Sequence, residues 1–124
     1  MAKQKRGEPG QRQLRVGEEI RHVLSEMFTR GDVHDAALSG RMITVSEVRM
    51  SPDLRHATCF VMPLGGKELD EVLVGLKRAA PYLRGEVARR VRLRLAPELA
   101  FKADQGFDHA ERISSLLNGV NDKN

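Results

Sequence analysis

The chain is poor in aromatic residues, in cysteine and in long apolar runs. Only 4% of its 124 residues are aromatic and tryptophan is absent, which argues against a platform that stacks single strands on several rings. The single cysteine excludes an internal disulfide and a zinc site built from cysteine pairs. No apolar run approaches the ~18 residues that span a bilayer, and no apolar segment follows the basic N-terminus as a secretory signal requires. We therefore expect a cytoplasmic protein that does not bind membranes.

The composition that remains is typical of one folded domain. Hydrophobic residues make up 40% of the chain and charged residues 31%, proportions that are typical of globular proteins rather than disordered ones. The length suits a single core. We predict a flexible basic tail over residues 1–11, one domain over residues 12–118 and a C-terminal tail over residues 119–124.

Positive charge is concentrated in two segments. Lysine and arginine number 21 against 17 acidic residues, a net charge of +4, yet residues 77–94 hold seven basic residues and only Glu86 as an acid. A second basic segment lies within residues 1–15. Because arginine binds phosphate through two parallel hydrogen bonds, this density favours a polyanionic partner such as RNA, although a solvated helix face remains the alternative. The predicted RNA-binding residues are Lys77, Arg78, Arg84, Arg89, Arg90, Arg92 and Arg94.

Apolar spacing predicts the order of the elements. Helical spacing covers residues 12–30, and β-branched or alternating residues predict strands over residues 42–50 and 56–62. The turn formers between these strands predict a hairpin, and the shift of apolar phase inside the first strand predicts a β-bulge or burial on both faces. A third strand follows from alternation over residues 99–103, and an Asp-x-x-Glu cap predicts a last helix from residue 108.

Proline interrupts the helix that is predicted to begin near residue 68. A proline inside a helix loses a backbone hydrogen bond and costs ~3 kcal/mol, whereas it suits the first turn of a new helix. We therefore predict a sharp kink at Ala79, Ala80 and Pro81, with a second helix running from Pro81 to about residue 90. The N–H groups at the start of that second helix could hold a phosphate. A simple joint between two packed helices is the alternative.

Four segments resemble the bacterial ribosome-binding factor A family, within a similarity that extends over residues 11–117. These segments are residues 43–58, 78–85, 92–99 and 112–117. The resemblance implies an α+β, KH-like fold of type II topology, α-β-β-α-kink-α-β with a C-terminal helix, in which helices back a three-stranded sheet. The family typically has an Ala-x-Gly kink, so the sequence Ala79-Ala80-Pro81 departs from it. We therefore expect the contact with RNA to depend more on arginine side chains and on the exposed start of the second helix.

The resemblance also implies a function. Members of the family associate with free small ribosomal subunits, assist their late maturation and promote processing of the 5′ region of small-subunit ribosomal RNA, above all in the cold. They are not enzymes, and a GTPase is linked to their release. We expect the same of this chain, as a monomer without a cofactor or metal, and we add Arg55 in the hairpin to the candidate RNA contacts.

Two other functions remain open at the level of sequence. The first is a small nuclease that would use Asp53 and His56, and the second is a protein–protein adaptor on the ribosome. The four histidines have no spacing that would form a metal site, and Cys59 is predicted to be a small buried residue.

Overall fold

The fold consists of two α-helices and one three-stranded sheet within residues 10–66 and 68–104, the part of the chain that the computed structural model describes. The predicted C-terminal helix and most of both predicted tails lie outside these residues, so the domain boundaries stay a prediction. The elements are α1 (Gln11–Arg30), β1 (Ile43–Met50), β2 (His56–Pro63), a 3-10 turn (Leu64–Gly66), α2 (Leu69–Val91) and β3 (Glu98–Ala103).

The sheet has the order β1-β2-β3. Strands β1 and β2 form an antiparallel hairpin, and β3 pairs parallel to β2. A parallel partner needs a crossover connection, which α2 supplies. The register of the hairpin shifts between Val45 and Glu47, so the predicted bulge is confirmed, as are the hairpin and the third strand. The α+β fold class is confirmed with them.

Both helices pack on one face of the sheet. Period-2 alternation in β2 turns Ala57, Cys59 and Val61 inward, each at most 1% exposed. Helix α1 approaches β1 so closely at Gly17 that a Cβ there would lie 2.5 Å from the carbonyl oxygen of Val48. The side chains that complete the core from the helices are fully buried: Ile20, Leu24, Met27, Val72, Leu76, Leu83 and Val87. The other face of the sheet carries no helix within the described residues.

Helix α2 continues through Pro81, so the predicted division into two helices at Ala79, Ala80 and Pro81 is wrong. Leu76 and Leu83, on either side of the proline, are both fully buried, and each such side chain contributes about 1.5–3 kcal/mol by leaving water. This burial offsets the ~3 kcal/mol that a mid-helix proline costs. Pro81 itself is exposed, which lets water reach the carbonyl that lost its partner.

The same continuity removes the predicted phosphate seat. In an unbroken helix the N–H groups of residues 82–84 donate to carbonyl oxygens four residues earlier. They are therefore not exposed at a helix start, and the KH-like fold is built here with one long helix where two were expected. Any contact with phosphate must come from side chains.

Candidate nucleic-acid interface

Residues 31–42, which join α1 to β1 and are called the α1–β1 loop below, cover one flank of α2. The guanidinium of Arg78 donates two hydrogen bonds to the carboxylate of Asp35, at 3.0 and 2.8 Å, and the N–H of Ala37 donates to the same carboxylate at 2.9 Å. The hydrogen bond from Arg78 lowers the pKa of Asp35, and the carboxylate in turn raises the pKa of Arg78. Arg78 thus serves to hold the loop.

Arg89 and Arg90 share one carboxylate. Glu86 Oε1 lies 2.5 Å from an Arg89 nitrogen and 3.1 Å from Arg90 Nη2, and the contact with Arg89 is the main cause of the lowered pKa of Glu86. Arg90 also lies 3.9 Å from Asp32 at the start of the α1–β1 loop. The Arg89 side chain remains 66% exposed, and exposed ion pairs contribute little to stability, so a phosphate can compete for it.

Arg84 lies on the opposite flank of α2, facing β3. Its guanidinium donates to the carbonyl oxygen of Ala96 at 3.2 and 3.0 Å and lies 3.3 Å from the carboxylate of Glu98. It therefore fastens the connection between α2 and β3 to the helix. The predicted RNA-binding arginines are therefore divided between two flanks of α2, one facing the α1–β1 loop and the other facing β3. Four of them have partners inside the protein: Arg78, Arg84, Arg89 and Arg90.

The other predicted cations are exposed and form no ion pair within the described part of the chain. They are Lys77, Arg92, Arg94 and Arg55. The fold brings Arg55 beside Glu98, the partner of Arg84, because the N–H of Glu98 donates to the Arg55 carbonyl oxygen at 2.8 Å where β3 begins beside β2. We call Arg55, Arg84, Arg92 and Arg94 the basic end of the molecule.

The basic end has an unusual backbone at two positions. Arg92 closes α2 in the left-handed conformation, with φ 62° and ψ 47°, and Leu54 in the hairpin turn has φ 62°. Residues with a Cβ rarely adopt this conformation, which costs roughly 1–2 kcal/mol. Arg92 thus occupies a left-handed position where glycine is the usual residue.

A groove between α2 and β3 adjoins the basic residues. Its volume is about 420 Å³, and Lys77 lies at its rim. Its walls are otherwise apolar and comprise Leu73, Val74, Leu99, Ala100 and Phe101. Sequence reasoning missed this groove because Leu73, Leu99 and Phe101 fit core periodicity; the one signal was Val74, an apolar residue off the buried stripe that is 54% exposed.

The residues of the nuclease alternative serve the hairpin turn. The Asp53 carboxylate accepts from the Ser51 hydroxyl at 2.7 Å and from the Arg55 N–H at 3.0 Å, and the first of these bonds is the main cause of its lowered pKa. His56 is exposed, and its backbone N–H donates to the Ser51 hydroxyl. Within residues 10–66 and 68–104, no three histidine, cysteine or acidic side chains are grouped to hold a metal.

Cys59 is buried, as predicted, and burial raises the pKa of its thiol to about 12. None of the described helices combines the length and apolarity needed to cross a bilayer.

Comparison with known proteins decides the family. The family model of ribosome-binding factor A matches residues 12–117. This chain belongs to the ribosome-binding factor A family. The ribosome-binding factor A of Methylocella silvestris is 56% identical over 114 residues, which cover 92% of this chain and 74% of that protein. That of Bradyrhizobium diazoefficiens is 57% identical over 107 residues, covering 86% and 74%.

Solved structures of ribosome-binding factor A share the fold. The crystal structure from Thermus thermophilus superposes with a TM-score of 0.64 at 26% identity, over 75% of this chain and 97% of that one. The solution structure from Thermotoga maritima, described as a putative ribosome-binding factor A, gives a TM-score of 0.64 at 30% identity, over 82% and 94%. Coordinates of the Thermus protein fitted into a cryo-EM map of its 30S complex give 0.59 at 28% identity, over 72% and 91%.

Proposed function

We propose that this protein is a non-catalytic assembly factor that binds the small ribosomal subunit through ribosomal RNA phosphates. In this role it assists late maturation of the subunit and processing of the 5′ region of its RNA. Support comes from membership of the ribosome-binding factor A family and from the 30S complex of the Thermus relative. The observation that carries the proposal is the set of exposed, unpaired cations at and beside the basic end.

The basic end suits phosphates because its charge is only partly compensated. Arg84 contacts the carboxylate of Glu98. The other three arginines of the basic end have no ion-pair partner among the described residues: Arg55, Arg92 and Arg94. Phosphate contacts release counterions and supply most of the affinity of such interfaces. The adjoining groove, with Lys77 at its rim, offers apolar walls to an unstacked base. The arginines held by Asp35 and Glu86 are secondary contacts.

The proposal excludes bond cleavage by this chain. Hydrolysis of RNA needs a positioned base or a metal ion, and the Asp53 carboxylate holds the turn together through two hydrogen bonds to its Oδ1. Incubation of the pure protein with precursor ribosomal RNA and magnesium should give no product. A product that disappears in an Asp53→Ala variant would establish the nuclease alternative. Release by a GTPase, a monomeric state and a cytoplasmic location stay predictions.

Co-sedimentation with free small subunits tests the proposed surface. We expect the double variant Arg92→Gln/Arg94→Gln to bind more weakly, with a salt slope reduced by about 1.4, from about 0.7 for each of two phosphates. The matched control, Arg21→Gln/Arg30→Gln, removes the same charge from α1 and should bind normally. Equal weakening of both variants, or of neither, would contradict a localised interface. Binding that survives high salt unchanged would favour the adaptor alternative.

A further inference from the structure

The face of the sheet that points away from the helices forms a second surface. Alternation that buries one side of each strand leaves the other side open: Thr44, Glu47 and Arg49 on β1, Thr58, Phe60 and Met62 on β2, and Ala100 and Lys102 on β3. Each of these side chains is exposed or partly exposed. Neither described helix covers them, and neither the basic end nor the α2–β3 groove includes them apart from Ala100.

Phe60 lies at the centre of this outer face. Strand β2 is the middle strand, and the register places Glu47 of β1 and Lys102 of β3 on either side of Phe60. The guanidinium carbon of Arg49 lies 5.4 Å from the centroid of the Phe60 ring, within the range of a cation–π contact. The ring therefore has a cation over it and a second cation beside it.

Arg49 is fixed in this position from two directions. Its Nε donates to the Glu47 carboxylate at 2.9 Å while its guanidinium contacts the ring. The side chain is nevertheless 67% exposed, so part of the planar group remains open to solvent. A guanidinium that is already ordered loses little further conformational freedom when a ligand stacks on it.

We propose that this outer face binds one unpaired RNA base, stacked on the Arg49–Phe60 pair, while Lys102 contacts an adjacent phosphate. The inference rests on the proposed function and extends it to a second surface. Aromatic rings and arginine planes are the platforms on which proteins stack unpaired RNA bases. The Glu47 carboxylate, which has acceptor positions left beside its bond to Arg49, can accept a hydrogen bond from an amino group of the base.

The charge and size of the patch favour a base over a protein partner. Protein interfaces have a fully buried apolar core that is depleted of charged residues, whereas here a single ring is surrounded by Arg49, Lys102 and Glu47. Lys102 has no ion-pair partner among the described residues. Arg55 lies at the tip of the same hairpin, so one RNA strand can pass from the basic end onto the outer face.

A tryptophan at the stacking position provides the test. The chain has no tryptophan, so Phe60→Trp places a single tryptophan at the site, and its emission can be excited selectively. We expect its emission to be quenched when a single-stranded RNA oligonucleotide binds, with binding followed separately by the anisotropy of a label on the RNA. The matched control, His22→Trp on the exposed side of α1, should bind the same RNA without quenching.

Substitutions without a fluorophore give an independent measurement. Phe60→Leu should weaken binding of the oligonucleotide about tenfold, because the base loses its aromatic stacking partner. Met62→Leu, on the same strand and face, should leave the affinity unchanged. Lys102→Gln should reduce the salt slope by about 0.7, the value for one phosphate on a single strand.

The outcomes separate this site from the proposed function. If RNA binds to the Phe60→Trp protein without quenching, the outer face is not a base site, while binding through the basic end still stands. If Phe60→Leu weakens binding to small subunits but not to free RNA, the face docks a protein and the inference is overturned. If neither RNA nor small subunits bind the unaltered chain, the proposed function fails as well.

Discussion

Replacing Arg92 with glycine should change stability and RNA binding in opposite directions. Arg92 closes α2 with φ 62°, a conformation that glycine adopts without steric cost. The left-handed backbone at Arg92 directs the next N–H, that of Leu93, to the Ala88 carbonyl oxygen at 2.9 Å. The Arg92→Gly change keeps this hydrogen bond and removes only an exposed side chain. The helix end is therefore relieved of strain while the basic end loses one charge.

The magnitude follows from two opposing terms. Relief of the left-handed conformation is worth about 1–2 kcal/mol, and the greater freedom of glycine in the unfolded chain costs about 0.4–1 kcal/mol. The free energy of unfolding should therefore rise by about 0.8 kcal/mol, the difference between the midpoints of the two terms. For a domain of this size, such a change raises the melting temperature by about 2–8 °C.

Thermal unfolding and salt-dependent binding to small subunits measure the two effects. We expect the melting temperature to rise and the salt slope to fall by about 0.7. Arg94→Gly is the matched control, because it removes the same charge from a residue without a positive φ. It should lower stability by about 0.4–1 kcal/mol. A lower melting temperature of the Arg92→Gly protein, or an unchanged salt slope for its binding, would contradict this prediction.

Three further predictions concern the core and the α1–β1 loop. Gly17→Ala should lower the free energy of unfolding by about 1–3 kcal/mol in urea titrations, because its Cβ would lie 2.5 Å from a backbone oxygen; an unchanged urea midpoint would contradict this. Arg78 lowers the pKa of Asp35 in the folded protein. The ionised carboxylate therefore stabilises the fold at pH values above the unfolded pKa, and this contribution is lost as the pH falls through the folded pKa. Asp35→Asn should therefore flatten the dependence of stability on pH in the acidic range below the unfolded pKa of the carboxyl group. Because the pKa of Cys59 is about 12, its thiol should resist alkylating reagents at neutral pH until the protein unfolds, and rapid alkylation of the native protein would overturn the assignment.

The hairpin and third strand could be predicted because their signals are local. Alternation in β2 sorts Ala57, Cys59 and Val61 onto one face whatever the rest of the chain does, and the shift of phase in β1 marks the bulge. From the sequence, the candidate site could be predicted only as a set of basic residues and not as an arrangement in space. Charge density identified the basic residues, but it carried no information on which of them would meet a carboxylate.

The continuity of α2 shows where local rules fail. The preference of Pro81 for the first turn of a helix is a local effect worth a few kcal/mol. Burial of Leu76 and Leu83 against the sheet is an effect of comparable size that depends on the whole fold. Because the apolar stripe keeps one helical phase on both sides of the proline, tertiary packing decides in favour of one helix.

The fold class, the family and the excess of positive charge could be predicted from the order and number of residues along the chain. The availability of each cation could not be predicted in this way, because an ion pair depends on the distance between segments that are far apart in the sequence. Arg78 meets Asp35 across 43 residues of sequence, whereas Arg55 is carried to the start of β3 without an ion-pair partner among the described residues. The same pairing of strands set Lys102 beside Phe60, a juxtaposition that no spacing in the sequence reveals.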